Sequence, residues 1–155
     1  MNRFMETALN EARLGMRSGD GGPFGAVIVK DGEIAACSHN QVLSTCDPTM
    51  HAEIAAIREA CEKFGRFDLS DCEIYSTCLP CPMCLGAIMW AKIPKLYYGA
   101  ADSDAAAAGF DDEYIYDVIR SGFHDKGRLS TEETDAEECR KLFADWLAKD
   151  DRKMY

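Results

Sequence analysis

The sequence lacks three features that would each define a class of protein. It contains no run of 18 or more apolar residues, which argues against a membrane-spanning helix. Residues 1–6 lack the long apolar run of a secretory signal. Basic residues are in deficit, with 17 Lys and Arg against 27 Asp and Glu and a formal net charge of -10 at pH 7. We therefore expect a cytoplasmic protein that does not bind membranes or, through bulk electrostatics, nucleic acids.

Cysteine is too sparse for a fold held together by disulfides. The 8 cysteines among 155 residues fall below the roughly 8–10% density of small secreted disulfide scaffolds. Cys78, Cys81 and Cys84 nevertheless lie within one short segment, and in a reducing cytosol such a cluster indicates metal binding or redox chemistry. The others are predicted to be packing residues, because free cysteine behaves as a small hydrophobe. They are Cys37, Cys46, Cys61, Cys72 and Cys139.

The remaining composition is that of one globular domain. Apolar residues make up 47% of the chain, and at this length roughly 68–70% of the unfolded chain's surface can be buried. No repeat, Pro-rich linker or low-complexity block marks a boundary. We expect residues 1–155 to form a single domain.

Hydrophobic spacing predicts alternating helices and strands. Phe4, Ala8 and Ala12 recur at helical spacing, and the apolar runs at residues 24–30 and 33–37, joined by Asp31-Gly32, predict a β-hairpin. A polar loop is expected at 39–49. Later elements are predicted in the order helix from 51 to about 65, strand at 72–77, helix at 82–91, strand at 95–99, and helices at 111–120 and 136–148. This order predicts an α/β fold, a three-layer α/β/α sandwich with a mixed central sheet.

Two segments carry residues suited to metal and proton chemistry. His51-Ala52-Glu53 and Pro80-Cys81-Pro82-Met83-Cys84 match H-x-E…P-C-x-x-C, the signature of zinc-dependent nucleobase deaminases. One imidazole and two thiolates fill three tetrahedral positions and leave the fourth for water. The motif therefore predicts one zinc per chain, bound by His51, Cys81 and Cys84. Glu53 is predicted to be the catalytic residue that moves protons without binding the metal.

Other interpretations of these residues remain open. A lone C-x-x-C also occurs in thioredoxin-like redox pairs and in half of a zinc ribbon, although neither use involves His51 or Glu53. Considered alone, Glu53 would be a solvated helix residue. Cys78 and Cys81 have the same spacing as Cys81 and Cys84, but Cys78 ends the preceding strand. We expect Cys78 to pack or to support the site rather than to bind metal.

The similarity to known sequences extends beyond the metal motif. Further matching stretches are residues 21–32, 47–53, 81–88 and 108–112, with Trp146 and the terminal Tyr155. Through them the chain resembles the cytidine-deaminase-like superfamily and, within it, the small bacterial guanine deaminases. The resemblance implies hydrolysis of guanine to xanthine and ammonia in purine catabolism or salvage. It also implies a homodimer whose C-terminal segment is exchanged between subunits.

The resemblance further implies roles for four residues outside the zinc motif. Asn40 matches an asparagine that hydrogen-bonds the base, and its amide offers both a donor and an acceptor to a purine edge. Phe24 matches an aromatic residue beside the purine. Asp112 matches a carboxylate that assists proton transfer, and Tyr155 matches a residue that closes the pocket. One departure is Leu79, which stands where many relatives have Glu and removes a potential hydrogen bond behind the ligands.

Rival functions are a related deaminase and a silent zinc-binding module. The related substrates are guanosine, another aminated heterocycle, cytosine and adenosine in tRNA. The acidic balance of the chain disfavours tRNA. A silent module that serves only in assembly would have no use for Glu53.

Overall fold

The chain folds into one unit that contains a sheet and a second unit that is helical. The computed structural model describes residues 1–124 and 127–155. Compact units form at Met1–Asp112 and Glu113–Tyr155. The helices are α1 (Arg3–Ser18), α2 (Val42–Thr45), α3 (Ala52–Phe64), α4 (Pro82–Trp90), α5 (Asp102–Ala107), α6 (Glu113–Arg120) and α7 (Ala136–Ala148). The strands are β1 (Gly25–Lys30), β2 (Glu33–His39), β3 (Cys72–Cys78) and β4 (Lys95–Ala100).

The sheet is mixed, as predicted. Its strand order is β2-β1-β3-β4, with β1 antiparallel to β2 and β3, and β3 parallel to β4. The predicted hairpin between β1 and β2 is present, and Lys30 pairs with Glu33. Asp31 and Gly32 in its turn have positive φ angles of 51° and 75°, which is the backbone of a two-residue turn that matches the twist of the strands.

Helices cover both faces of this sheet. Along β1, Ala26 and Ile28 face a core shared with α3 and α4, whereas Val27 and Val29 face a core shared with α1. This alternation follows from the two-residue period of a strand. The α/β fold with three layers is therefore confirmed for the first unit.

Helix α1 approaches the sheet closely at two places. A Cβ on Gly25 would lie 2.0 Å from the carbonyl oxygen of Ala8, so glycine is needed where the helix crosses β1. Near the end of α1, the His39 ring joins two carboxylates: Nδ1 lies 3.1 Å from Glu11 and Nε2 lies 3.1 Å from Asp20. His39 is thus the last residue of β2 and not the start of a loop.

Two short helices were not predicted from the sequence. Helix α2 lies inside the expected polar loop, where the carbonyl of Asp20 accepts hydrogen bonds from the amides of Leu43 and Ser44. Helix α5 begins where a carboxylate oxygen of Asp104 accepts from the amide of Ala101, at 2.9 Å. Both helices depend on hydrogen bonds rather than on an apolar stripe, so hydrophobic spacing could not reveal them.

The second unit buries little of its apolar surface. Helix α7 has no buried residue, and Leu142 and Phe143 are each 69% exposed.

The prediction that the scattered cysteines are packing residues is wrong for two of them, because Cys46 and Cys139 are exposed. Throughout the described chain, no helix combines the length and the apolar composition needed to span a membrane.

Candidate active site

Three predicted metal ligands lie together in the first unit. The Nδ1 atom of His51 is 3.6 Å from the sulfur of Cys81 and 3.6 Å from the sulfur of Cys84. Their ligand atoms all lie within 4.8 Å of one another. Among the residues that the structure describes, this is the one group of three or more His, Cys, Asp or Glu that could hold a metal ion.

The N-termini of two helices create this arrangement. His51 is the N-cap of α3 and Cys81 is the N-cap of α4, and both have extended backbones. Neither side chain caps its own helix with a hydrogen bond, so both remain available as ligands. Pro82 suits the first position of α4 because it has no amide hydrogen to satisfy there. Cys84 follows in the first turn, on the same end of the helix.

The donor set and its spacing fit zinc. Zinc bonds are ~2.3 Å long to sulfur and ~2.0 Å long to nitrogen, so a sulfur and a nitrogen bound to the same tetrahedral ion lie ~3.5 Å apart. Both observed sulfur–nitrogen distances are 3.6 Å. Three protein ligands leave one tetrahedral position for water or substrate, which is the pattern of catalytic rather than structural zinc sites.

The surroundings favour a thiolate at Cys81. Hydrogen bonding from Cys84, and then from His51, lowers the pKa of Cys81 to about 4. The remaining proton stays on Cys84, whose pKa is raised by its hydrogen bond to Cys81 and by burial. The hydrogen bond to Cys81 raises the pKa of His51 in turn. The positive end of the α4 dipole also stabilises negative sulfur. The negative charge of the Cys81 thiolate favours binding of a cation.

Glu53 is buried beside the ligands instead of exposed to solvent. It is 5% exposed, and its Oε2 lies 3.4 Å from the sulfur of Cys84. Its Oε1 accepts a hydrogen bond from the Ser76 hydroxyl at 2.9 Å. Burial raises the pKa of this carboxyl, and the hydrogen bond from Ser76 opposes the increase. A carboxyl with a raised pKa near a metal is suited to accept and return protons.

Asn40 is held in one orientation by backbone amides. Its Oδ1 accepts from Gly22 N at 3.3 Å and from Val42 N at 3.2 Å. A Cβ on Gly21 would lie 2.0 Å from the same oxygen, so this loop must carry glycine there. Because Oδ1 is already occupied, Asn40 presents its amide NH2 group as a donor. This differs from the expectation that Asn40 offers a ligand both a donor and an acceptor.

The other predicted site residues have different surroundings. The Phe24 ring is partly buried and packs edge-on against Phe110, with centroids 5.0 Å apart. Asp112 ends the first unit, and its pKa is raised by burial and then by the negative charge of Cys81. Tyr155 ends the second unit and is 73% exposed.

Two residues near the cluster take no part in it. Cys78 donates from its thiol to the carbonyl of Ala101 at 3.5 Å and lies outside the three-residue group. Leu79 donates its backbone amide to Ala100 O at 2.9 Å, and its side chain offers no polar group.

Ser76 was not predicted from the sequence to lie at the site, although its hydroxyl donates to Glu53. A serine within a strand gives no local sign of a long-range partner.

Comparison with known proteins identifies the family. Residues 1–100 match the cytidine and deoxycytidylate deaminase zinc-binding region. Guanine deaminase of Bacillus subtilis (strain 168) is 53% identical over 116 residues, 75% of this chain and 74% of that protein. The X-ray structure of guanine deaminase from Bacillus subtilis superposes with a TM-score of 0.91 at 44% identity, covering 100% of this chain and 99% of the other. A tRNA-specific adenosine deaminase of Agrobacterium fabrum is 50% identical over 105 residues, 67% of this chain and 68% of that protein. The chain therefore belongs to the zinc-binding cytidine and deoxycytidylate deaminase family.

The ligand assignment predicts how zinc content responds to single substitutions. Cys81→Ala and Cys84→Ala should each lose zinc, because only two ligands then remain at an open site. Cys78→Ser is the matched control and should keep one zinc per chain. Metal analysis of the purified variants measures this, and full zinc occupancy in Cys81→Ala would overturn the assignment.

Proposed function

We propose that this protein is a cytoplasmic, zinc-dependent guanine deaminase that converts guanine and water to xanthine and ammonia in purine catabolism or salvage. The observation that carries the proposal is Glu53, which is buried at the metal-ligand cluster without belonging to it. A purely structural zinc site requires no such carboxylate. A hydrolase does require one, because the attacking water must lose a proton and the leaving amine must gain one.

Whole-chain similarity favours guanine over tRNA adenosine as the substrate. The sequence match to the Bacillus subtilis guanine deaminase covers 75% of this chain, against 67% for the Agrobacterium fabrum tRNA-specific adenosine deaminase, and the guanine deaminase structure matches 100% of it. The net charge of -10 also disfavours a polyanionic substrate. Both observations support a small purine as the substrate.

The residues around the metal cluster divide the chemical work. His51, Cys81 and Cys84 would hold the zinc ion, which would supply a nucleophile at neutral pH by lowering the pKa of a bound water. Glu53 accepts the proton that the attacking water loses and delivers it to the ring nitrogen beside the amino-bearing carbon. Glu53 or Asp112 then passes the second water proton, taken from the hydroxyl on the attacked carbon, to the amine, and the C–N bond breaks to release ammonia. Atoms balance, because one water enters and one ammonia leaves.

Recognition of the base begins with the NH2 group of Asn40. The backbone amides of Gly22 and Val42 donate to Oδ1 of Asn40. Its NH2 group is therefore left to donate to an acceptor on the ligand. The edge of guanine presents two acceptors, O6 and N7, whereas adenine replaces the oxo group with an amino donor. Phe24, which packs against Phe110, would cover the ring face. Because both purines present N7, the NH2 group of Asn40 favours guanine over adenine where it meets the six position.

The C-terminal unit supports a homodimer. Leu142, Phe143 and Leu147 are each at least 66% exposed on a helix with no buried residue, and such a surface calls for a partner. We propose that this unit is exchanged between two subunits and that Tyr155 closes the pocket of the partner. Residues 1–155 then act as one deaminase domain in the assembled dimer.

Replacing Glu53 should separate zinc binding from catalysis. Glu53→Gln keeps the size of the side chain but cannot carry the proton, so turnover should fall by about 10²–10⁴-fold while zinc content is unchanged. Glu59→Gln, on the exposed face of the same helix, is the matched control and should be fully active. Near-normal ammonia release from Glu53→Gln would remove Glu53 from the mechanism.

Substrate preference tests the proposed function directly. Steady-state ammonia release should be fastest with guanine and slower with adenine, cytosine and guanosine. Rejection can reach ~10⁴–10⁵ when a mismatched ligand leaves buried polar groups unpaired. Enzyme treated with a chelator to remove zinc gives the background rate of ammonia release. Preference for adenine, cytosine or a tRNA anticodon stem-loop would contradict the guanine assignment, and equal turnover of guanosine would contradict closure around the free base.

Removing Tyr155 tests the proposed closure of the pocket. Deletion of this residue should lower turnover by about 10-fold or more, because loss of a closing group disturbs alignment of the reactants, and should leave zinc content unchanged. Lys153→Ala in the same segment is the control and should have no effect. Sedimentation should give the mass of a dimer. An unchanged rate would make the terminus an ordinary frayed end.

A further inference from the structure

The Ser76 hydroxyl makes an unexpected contact in the core of the first unit. It donates to Oε1 of Glu53 at 2.9 Å, and the two residues are 1% and 5% exposed. We propose that Ser76 is a positioning residue that holds Oε1 of Glu53 so that Oε2 faces the metal site. This inference rests on the proposed function, because it assigns Ser76 a part in the proton transfers of Glu53.

Ser76 stands on a central strand of the sheet. Strand β3 is paired on both sides, and Ser76 lies between Ala26 of β1 and Tyr98 of β4. Its neighbour Ile74 is fully buried in the core that includes α3 and α4. Pairing on both sides therefore restrains the backbone that carries the hydroxyl, and the hydrogen bond to Glu53 orients Oγ.

The two oxygens of Glu53 face different partners. Oε2 lies 3.4 Å from the sulfur of Cys84, on the side of the metal ligands, whereas Oε1 accepts the hydrogen bond of Ser76 at 2.9 Å. Ser76 does not belong to the metal-ligand group, so its hydroxyl can hold Oε1 without competing for the metal. Oε2 then remains directed at the ligand cluster, where the water proton is exchanged.

The buried hydroxyl of Ser76 also affects the stability of the fold. Ser76 is 1% exposed and its cross-strand neighbour Ala26 belongs to the apolar core, where a hydroxyl is costly unless it is hydrogen-bonded. Glu53 accepts the hydrogen bond that the Ser76 hydroxyl donates, so a mutation of Ser76 will affect stability as well as catalysis. The experiment must therefore separate these two effects.

Thr77 provides the matched control on the same strand. Its hydroxyl accepts from Gly25 N at 3.1 Å and, one residue along the strand, its side chain lies on the opposite face from Ser76. Thr77→Val and Ser76→Ala each remove one buried hydroxyl, and both should lower the urea midpoint of unfolding. Only Ser76→Ala removes a partner of Glu53.

The test compares these variants with Ser76→Thr, which keeps the hydroxyl. In Ser76→Ala we expect one zinc per chain, an unchanged KM for guanine and a kcat lower by about 10–100-fold, the cost of a misplaced catalytic group. Ser76→Thr should recover most of kcat, and Thr77→Val should keep it. Loss of zinc in Ser76→Ala, a normal kcat in that variant, or an equal loss of kcat in Thr77→Val would overturn the proposal.

A double-mutant cycle with Glu53 completes the test. If Ser76 acts through Glu53, then Ser76→Ala should lower kcat in the natural enzyme but not further in Glu53→Gln. An equal effect in both backgrounds would overturn the proposal. Failure of the proposed function has a different signature, because the natural enzyme would then release no ammonia from guanine or Glu53→Gln would remain active.

Discussion

The meeting of the N-termini of α3 and α4 is the constraint on which the site depends. His51 and Cys81 are the N-caps of these helices, and the 3.6 Å separations from His51 Nδ1 to the two sulfurs hold only while the helices pack together on one face of the sheet. Each helix end also contributes a positive dipole. The ligands therefore gain their position from backbone geometry, and the same helix ends favour a thiolate at Cys81.

Much of the site could be predicted because its ligands lie in local sequence patterns. Pro82 at the start of α4 and the spacing of Cys81 and Cys84 define one helical turn, and His51 similarly starts α3. The sheet, its hairpin and the longer helices followed from apolar periodicity. The short helices α2 and α5 did not, since isolated hydrogen bonds rather than apolar faces form them.

Features that depend on tertiary contacts could not be predicted in the same way. Ser76 and Glu53 are 23 residues apart, and no local pattern relates a strand serine to a helix glutamate. The orientation of Asn40 was also missed, because amides of Gly22 and Val42 occupy its oxygen only in the folded chain. The grouping of His51, Cys81 and Cys84 could thus be predicted from the sequence, whereas the hydrogen bonds of Glu53 and Asn40 could not.

Burial of Glu53 connects the stability of the fold to its chemistry. A carboxylate that loses water becomes harder to ionise, and burial accordingly raises the pKa of Glu53. A hydrogen bond donated by Ser76 counteracts part of that effect without supplying a full opposing charge. The carboxyl is therefore less strongly acidic than an exposed one. In the proposed mechanism the same hydroxyl also sets the direction of the carboxylate, so one hydrogen bond influences both the proton affinity of Glu53 and the orientation of its oxygens.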